Sequence, residues 1–179
     1  MDNAFHIQRA SRRLRIAFTV ILILTPILCA LAWLFVNELS ADMQAAMRLP
    51  HYARLPLPVW ARVAGFVVSM LPASVAMYGI AVLIRLFRLY ERGQIFRPDN
   101  VRCFQSLSRV LIWWCAANIV ASPLMSLGLT LHHPPGQRMI SIGLGSPDIT
   151  ALLIGFVLAV IAWVMEEGCK LREEQDYTV

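Results

Sequence analysis

The chain has 179 residues, 58% hydrophobic and 15% charged, with a mean hydropathy of +0.62 and a formal net charge of +5. A soluble domain carries about 25% charged residues, and only about 45–50% apolar ones even with glycine counted. This balance excludes a disordered chain, a coiled coil and a small disulfide scaffold, and points to a small polytopic membrane protein.

Four uncharged windows follow in chain order: Ile16–Asn37, Val63–Ile84, Val110–Leu131 and Ile149–Met165. A helix rises about 1.5 Å per residue, so about 20 residues cross about 30 Å of hydrocarbon. The first three windows reach that length. The fourth is short and is expected to borrow from the uncharged stretch before Asp148, or to tilt little. Spanning strands would show strict alternation over about 10 residues, and none does. The fold class is therefore all-α, a single integral membrane domain over 1–179.

The first window has features of a cleaved signal. Arg9, Arg12, Arg13 and Arg15 form a basic leader, and Ala30–Leu31–Ala32 resembles a cleavage site. The apolar run nevertheless continues through Trp33, Leu34, Phe35 and Val36, longer than a signal core, so a retained helix is expected.

Orientation follows from the basic residues. With four spans, residues 1–15, loop 85–109 and tail 166–179 share one side and hold twelve of the sixteen Lys and Arg. Arg48, Arg54, Arg62 and Arg138 lie on the other side. The excess predicts that both termini face the cytoplasm. These arginines hug span ends beside anionic headgroups, so a nucleic-acid surface is not expected. Trp33 and Trp60 are predicted at the outer membrane boundary, and Trp113, Trp114 and Trp163 at the inner one. The chain then reads as two helical hairpins joined by the cytoplasmic segment.

Within the spans, Ala61, Gly65, Ser69 and Ala73 form a small-residue stripe, as do Ala151, Gly155 and Ala159. Such stripes let helices approach closely and leave self-association open. Asn118, Ser122, Ser126 and Thr130 form a polar stripe on the third span, expected to face the bundle core. Packing is its main reading, with a ligand path as the alternative. Pro26, Pro72 and Pro123 should each kink or loosen a span.

At the cytoplasmic exits, Tyr90–Glu91–Arg92–Gly93–Gln94–Ile95–Phe96 echoes Met165–Glu166–Glu167–Gly168–Cys169–Lys170–Leu171. The echo reads as a shared glycine helix stop or as a repeat of two hairpins. Pro98 and Asp99 suit the first turn of a new helix. Val101, Phe104, Leu107 and Ser108 then form an amphipathic stretch, expected at the inner membrane surface.

Catalytic groups are sparse. No Asp, Glu, Lys or His falls inside an apolar window, which disfavours proton-coupled transport. His51, His132 and His133 lie in outer loops without joining carboxylates or cysteines, so no metal site is expected. Cys29 and Cys115 lie in spans, while Cys103 and Cys169 fall on the reducing side, which excludes a quinone-linked thiol oxidase. Glu91–Arg92 opens like the Glu-Arg-x-x-x-Asn motif of a glutathione-transferring membrane family, but position 96 is Phe. No nucleophile elbow or phosphate loop is present, so neither an enzyme nor a cofactor is expected. The ending Tyr177–Thr178–Val179 has the form of a ligand for a strand-adding domain.

Two cytoplasmic motifs carry a family resemblance. Tyr90–Glu91–x–Gly93–x–Ile95–Phe96…Asn100–Val101 and Glu167–Gly168–x–x–Leu171–x–Glu173–Glu174–x–Asp176–x–Thr178–Val179 resemble small four-span bacterial membrane proteins classed as domain of unknown function 2975. Arg97 stands where that family prefers a Ser or Thr cap. The resemblance implies a membrane partner that restrains, or senses for, a small cytoplasmic helix-turn-helix regulator of Cro type. The candidate partner-binding residues are Glu91, Gly93, Phe96, Asn100, Gly168, Leu171, Glu173, Glu174, Asp176, Thr178 and Val179. An internal clasp from Glu173 or Glu174 to Arg92 or Arg97 is a further expectation. The alternative function is a small transporter or channel-like bundle using the prolines and the Asn118 stripe.

Overall fold

The computed structural model describes residues 2–47, 56–94, 97–130 and 145–176. Five helices account for nearly all of them, and no strand occurs among the described residues: α1 (Asp2–Leu34), α2 (Ala41–Ala46), α3 (Val59–Glu91), α4 (Pro98–Thr130) and α5 (Ser146–Asp176). Each long helix carries all or most of one apolar window, and all four are long and apolar enough to cross a membrane. They also exceed the windows. Thirty-three residues, as in α3, make a rod of about 50 Å against about 30 Å of hydrocarbon. The surplus turns carry the charged residues.

Helix starts and stops follow local chemistry. Pro98 opens α4 as predicted, with the Asn100 amide donating to the Arg97 carbonyl at 2.9 Å. The α5 helix begins at Ser146, three residues before the fourth window. There the Gly145 amide donates to Asp148 Oδ2 at 2.8 Å, the half of a capping box that the third helical residue supplies. At the far end, α3 closes on Gly93, whose φ of 70° only glycine adopts freely. The Gly93 amide donates to the Tyr90 carbonyl and the Gln94 amide to the Leu89 carbonyl, which together form a Schellman stop.

The second glycine of the echo behaves differently. Gly168 lies within α5, which runs on to Asp176. The shared-stop reading therefore holds for Gly93 and fails for Gly168. The residues that follow explain this. Cys169–Lys170–Leu171–Arg172–Glu173–Glu174 contains no proline or turn residue, and mostly good helix formers carry the helix onward at a cost of about 1 kcal/mol for the glycine.

The helices form an antiparallel row in chain order: α1 lies on α3, α3 on α4 and α4 on α5, with no other close helix pair among the described residues. Near the start of α3, Trp33, Val36, Leu57, Ala61 and Leu129 form one buried cluster. Near its end, Val82, Leu86, Cys103 and Leu107 form the other, with Leu158 of α5 packed against it. These are called here the Trp33 end and the Glu91 end. Elsewhere the row exposes Leu, Ile, Val and Phe side chains, as lipid-facing helices do.

Several packing expectations need correction. Val101, Leu107 and Ser108 are buried in the first turns of a continuous α4 rather than laid on a membrane surface, and the stretch leads straight into the span. No glycine or proline separates them from the span, so the helix has no reason to bend onto the surface. Trp33 is 3% exposed rather than in a boundary belt. Its indole fills the space a side chain at residue 65 would occupy, and Nε1 donates to Ser69 Oγ at 3.0 Å. The α3 stripe thus seats a tryptophan ring. Trp113 and Trp163, at 67% and 70% exposed, do face outward.

On α5, Ala151 and Gly155 are buried against α4 but Ala159 is exposed, and Ala162 takes its place. Four-residue steps overshoot a 3.6-residue turn by about 40° each, so a strict four-residue stripe rotates out of its contact. Pro26, Pro72 and Pro123 lie inside continuous helices.

The connection between α1 and α3 contains α2, which the sequence did not suggest. Asn37 closes it from both sides: Nδ2 donates to the Leu57 carbonyl at 3.3 Å, and the Leu57 amide donates to Oδ1 at 2.8 Å. Gln44 Nε2 donates to the carbonyls of Val36 and Leu39. Arg62 Nη1 donates to the Leu34 carbonyl at 3.1 Å, placing a cation at the electronegative C-terminus of α1.

Candidate functional site at the Glu91 end

The predicted partner motif falls on the turn between α3 and α4 and on the last turns of α5. In the turn, each described motif residue already has an internal task. Glu91 Oε1 accepts from Arg15 Nε at 3.0 Å, joining α3 to α1. Gly93 closes α3. Asn100 is fully buried, and its Nδ2 donates to the Gln94 carbonyl at 2.7 Å. That bond ties the first turn of α4 to the residue just past the Schellman stop. Glu91, Gly93 and Asn100 therefore build the α3–α4 connection. Asn100 is not presented to a partner at all, because a buried amide must find its hydrogen bonds inside the fold. Phe96 lies outside the described residues.

The α5 segment is different. Glu166 Oε2 accepts from Gln105 Nε2 at 3.2 Å, the last hydrogen bond between α4 and α5 among the described residues. Beyond it Glu167, Gly168, Lys170 and Leu171 are exposed, and a side chain at Gly168 would meet open space. Lys170 bridges back along its own helix to Glu166 and Glu167. Glu173, Glu174 and Asp176 continue the helix. Their side chains, with Thr178 and Val179, lie outside the described residues, and so does the clasp expected with Arg92 or Arg97. Those two arginines are exposed.

The polar stripe of α4 is turned into the row: Asn118 and Ser126 are buried and Ser122 is half-buried. Asn118 Nδ2 donates to the Trp114 carbonyl at 3.1 Å, and Ser126 Oγ to the Pro123 carbonyl at 2.9 Å. These bonds stay within α4. Thr130 is the last residue of that helix, and its side chain lies outside the described residues. His51, His132 and His133 also fall outside them. Among the described residues, no group of three His, Cys, Asp or Glu is placed to hold a metal.

Sequence reasoning missed Arg15. A signal was available: Glu91 is the first acid after the second span, and Arg15 adjoins the start of the first. In an antiparallel pair these meet at one level. The Gln105–Glu166 tie and the Asn37 closure had no comparable sign, since neutral amides on a helix or loop face many directions.

The family described as "Protein of unknown function (DUF2975)" matches residues 41–179. The chain belongs to the DUF2975 family. The match covers α2 to α5 and both motifs, and α1 precedes it. No curated protein and no solved structure matches the chain. Within this DUF2975 protein, the Glu91–Gly93–Asn100 motif falls on residues that shape a connection, and Gly168–Leu171 on residues that stay exposed.

Proposed function

We propose that this DUF2975 protein is a bacterial inner-membrane protein with both termini in the cytoplasm. Its four spans act as two hairpins, and it works by binding a cytoplasmic protein rather than by catalysing a reaction. The docking surface is the α5 arm from Glu166 onward. One observation carries this reading: the arm stays helical for about ten residues past the fourth window, with Gly168 and Leu171 exposed. The other motif is consumed by the α3–α4 connection. The partner implied by the family resemblance is a small helix-turn-helix regulator, held at the membrane through protein contact and with no nucleic acid bound by the membrane domain itself.

The transporter alternative draws on the buried Asn118 stripe. The two readings separate in one experiment. A small regulator encoded beside a DUF2975 gene is co-expressed with this protein, and its share in the membrane fraction is measured. Leu171→Arg, or removal of residues 172–179, should release the regulator, while Asn118→Leu should leave it bound. Retention with the shortened arm and release by Asn118→Leu would overturn the regulatory reading.

A further inference from the structure

A groove of about 370 Å³ opens on one face between α3 and α4, lined by Ser74, Val75, Tyr78, Ser106, Arg109, Val110 and Trp113. Its origin is local. Val110 packs over Gly79, so the helices approach closely there. The short side chains of Ser74, Val75 and Ser106 then leave space that Tyr78 and Trp113 wall.

The lining is graded along the membrane normal. Ser106 and Arg109 lie before the uncharged window of α4, toward the Glu91 end, whereas Trp113, Val75 and Ser74 lie inside the windows. From Ser106 to Trp113 the helix rises about 10 Å, so the groove passes from headgroup level into hydrocarbon. An occupant must therefore be polar at one end and apolar at the other.

Charge then selects the occupant. Arg109 is the one charged residue in the lining, and no carboxylate faces it there. Its Nε makes a long 3.3 Å bond to the Gln105 carbonyl of its own helix. Its terminal nitrogens and the Tyr78 hydroxyl have no partner among the described residues. A guanidinium at headgroup depth favours phosphate. With Arg109 as its only charge and no carboxylate beside it, the lining is net positive and disfavours a choline or ethanolamine cation.

We propose that this groove is a binding site for an anionic phospholipid. Arg109 meets the phosphate, Tyr78 and Val110 flank the glycerol region, and the upper acyl carbons run over Val75 and Trp113. The proposal needs only that the chain spans a bilayer. It does not depend on which side the termini face or on the role of the α5 arm.

The test is lipid retention by the full chain purified in mild detergent, read by native mass spectrometry. Phosphatidylglycerol and phosphatidylcholine with identical acyl chains are offered in equal amount. The wild type should retain phosphatidylglycerol preferentially. Arg109→Gln should weaken that preference about fivefold, the effect of one basic side chain near a charged surface. Arg109→Lys should keep most of it. Arg88→Gln removes an exposed charge from the same end of α3, outside the groove, and should leave it unchanged. Equal retention of the two lipids by the wild type overturns the proposal, whether or not any variant folds. So does an equal effect of Arg109→Gln and Arg88→Gln. Displacement of phosphatidylglycerol by inorganic phosphate would identify a site for a soluble anion and overturn the lipid.

Discussion

Gly93 and Gly65 show how the same residue serves two different needs. At Gly93 the backbone itself requires glycine, because φ is 70°. A β-branched residue there takes on left-handed strain of about 1–3 kcal/mol, while asparagine tolerates that region better. Gly93→Val should therefore lower the thermal midpoint of the detergent-solubilised protein clearly, and Gly93→Asn should lower it less. Equal losses would show that the turn does not depend on the left-handed conformation. At Gly65 the demand is space, since the Trp33 indole occupies the side-chain position. Gly65→Leu should expel the ring, break its bond to Ser69 and shift part of the tryptophan emission. Asn100 adds a third case. Asn100→Leu removes the tie to Gln94 from a fully buried site and leaves that carbonyl without its donor, a loss of about 1–3 kcal/mol. All three residues lie in patterns visible in the sequence. Their tasks depend on what stands opposite, which no local pattern records.

Among elements, continuity and pairing are the informative features. The α4 helix runs from Pro98 to Thr130 without a break, so its polar first turns stand on the span as a rigid extension. The α1–α3 pair is held by Trp33 at one end and by Arg15–Glu91 at the other. The two charges are half-exposed, at 33% and 19% for their side chains. Their coupling should be modest, about 0.5–1 kcal/mol. A double-mutant cycle of Arg15→Gln and Glu91→Gln measures it; additive single effects would show that the contact contributes nothing. Helix existence was legible throughout, because a window of about 20 apolar residues has no other stable form in a bilayer. Helix ends were legible where a proline or a glycine stop marks them, as at Pro98 and Gly93. They were not legible at Gly168, where the residues downstream decided the outcome. The small α2 helix was invisible, because six residues carry too little periodicity.

Among the described residues the four long helices form an open row rather than a closed bundle, and this arrangement gives its own predictions. An ideal Cβ at residue 128 would lie 3.8 Å from that of Ala64, within the range for a disulfide. With the four native cysteines replaced, Ala64→Cys combined with Gly128→Cys should crosslink on mild oxidation; failure would contradict the register of α3 on α4. Reporter fusions test the proposed orientation. A fusion after His133 should be active only outside the cytoplasm, and one after Val179 only inside. By itself the sequence determined that this DUF2975 protein is helical, where its four apolar windows lie and which side its basic residues prefer. Those properties follow from transfer of single segments into lipid, a sum over residues. Only the tertiary structure decided that Trp33 is buried, that Asn100 and Glu91 are spent on internal ties, that Gly168 and Leu171 stay exposed, and that Arg109 overlooks a groove. Each of these depends on the facing side chain of another helix, and in a bilayer that choice rests on shape and polar pairing, because hydrophobicity is satisfied equally well by lipid.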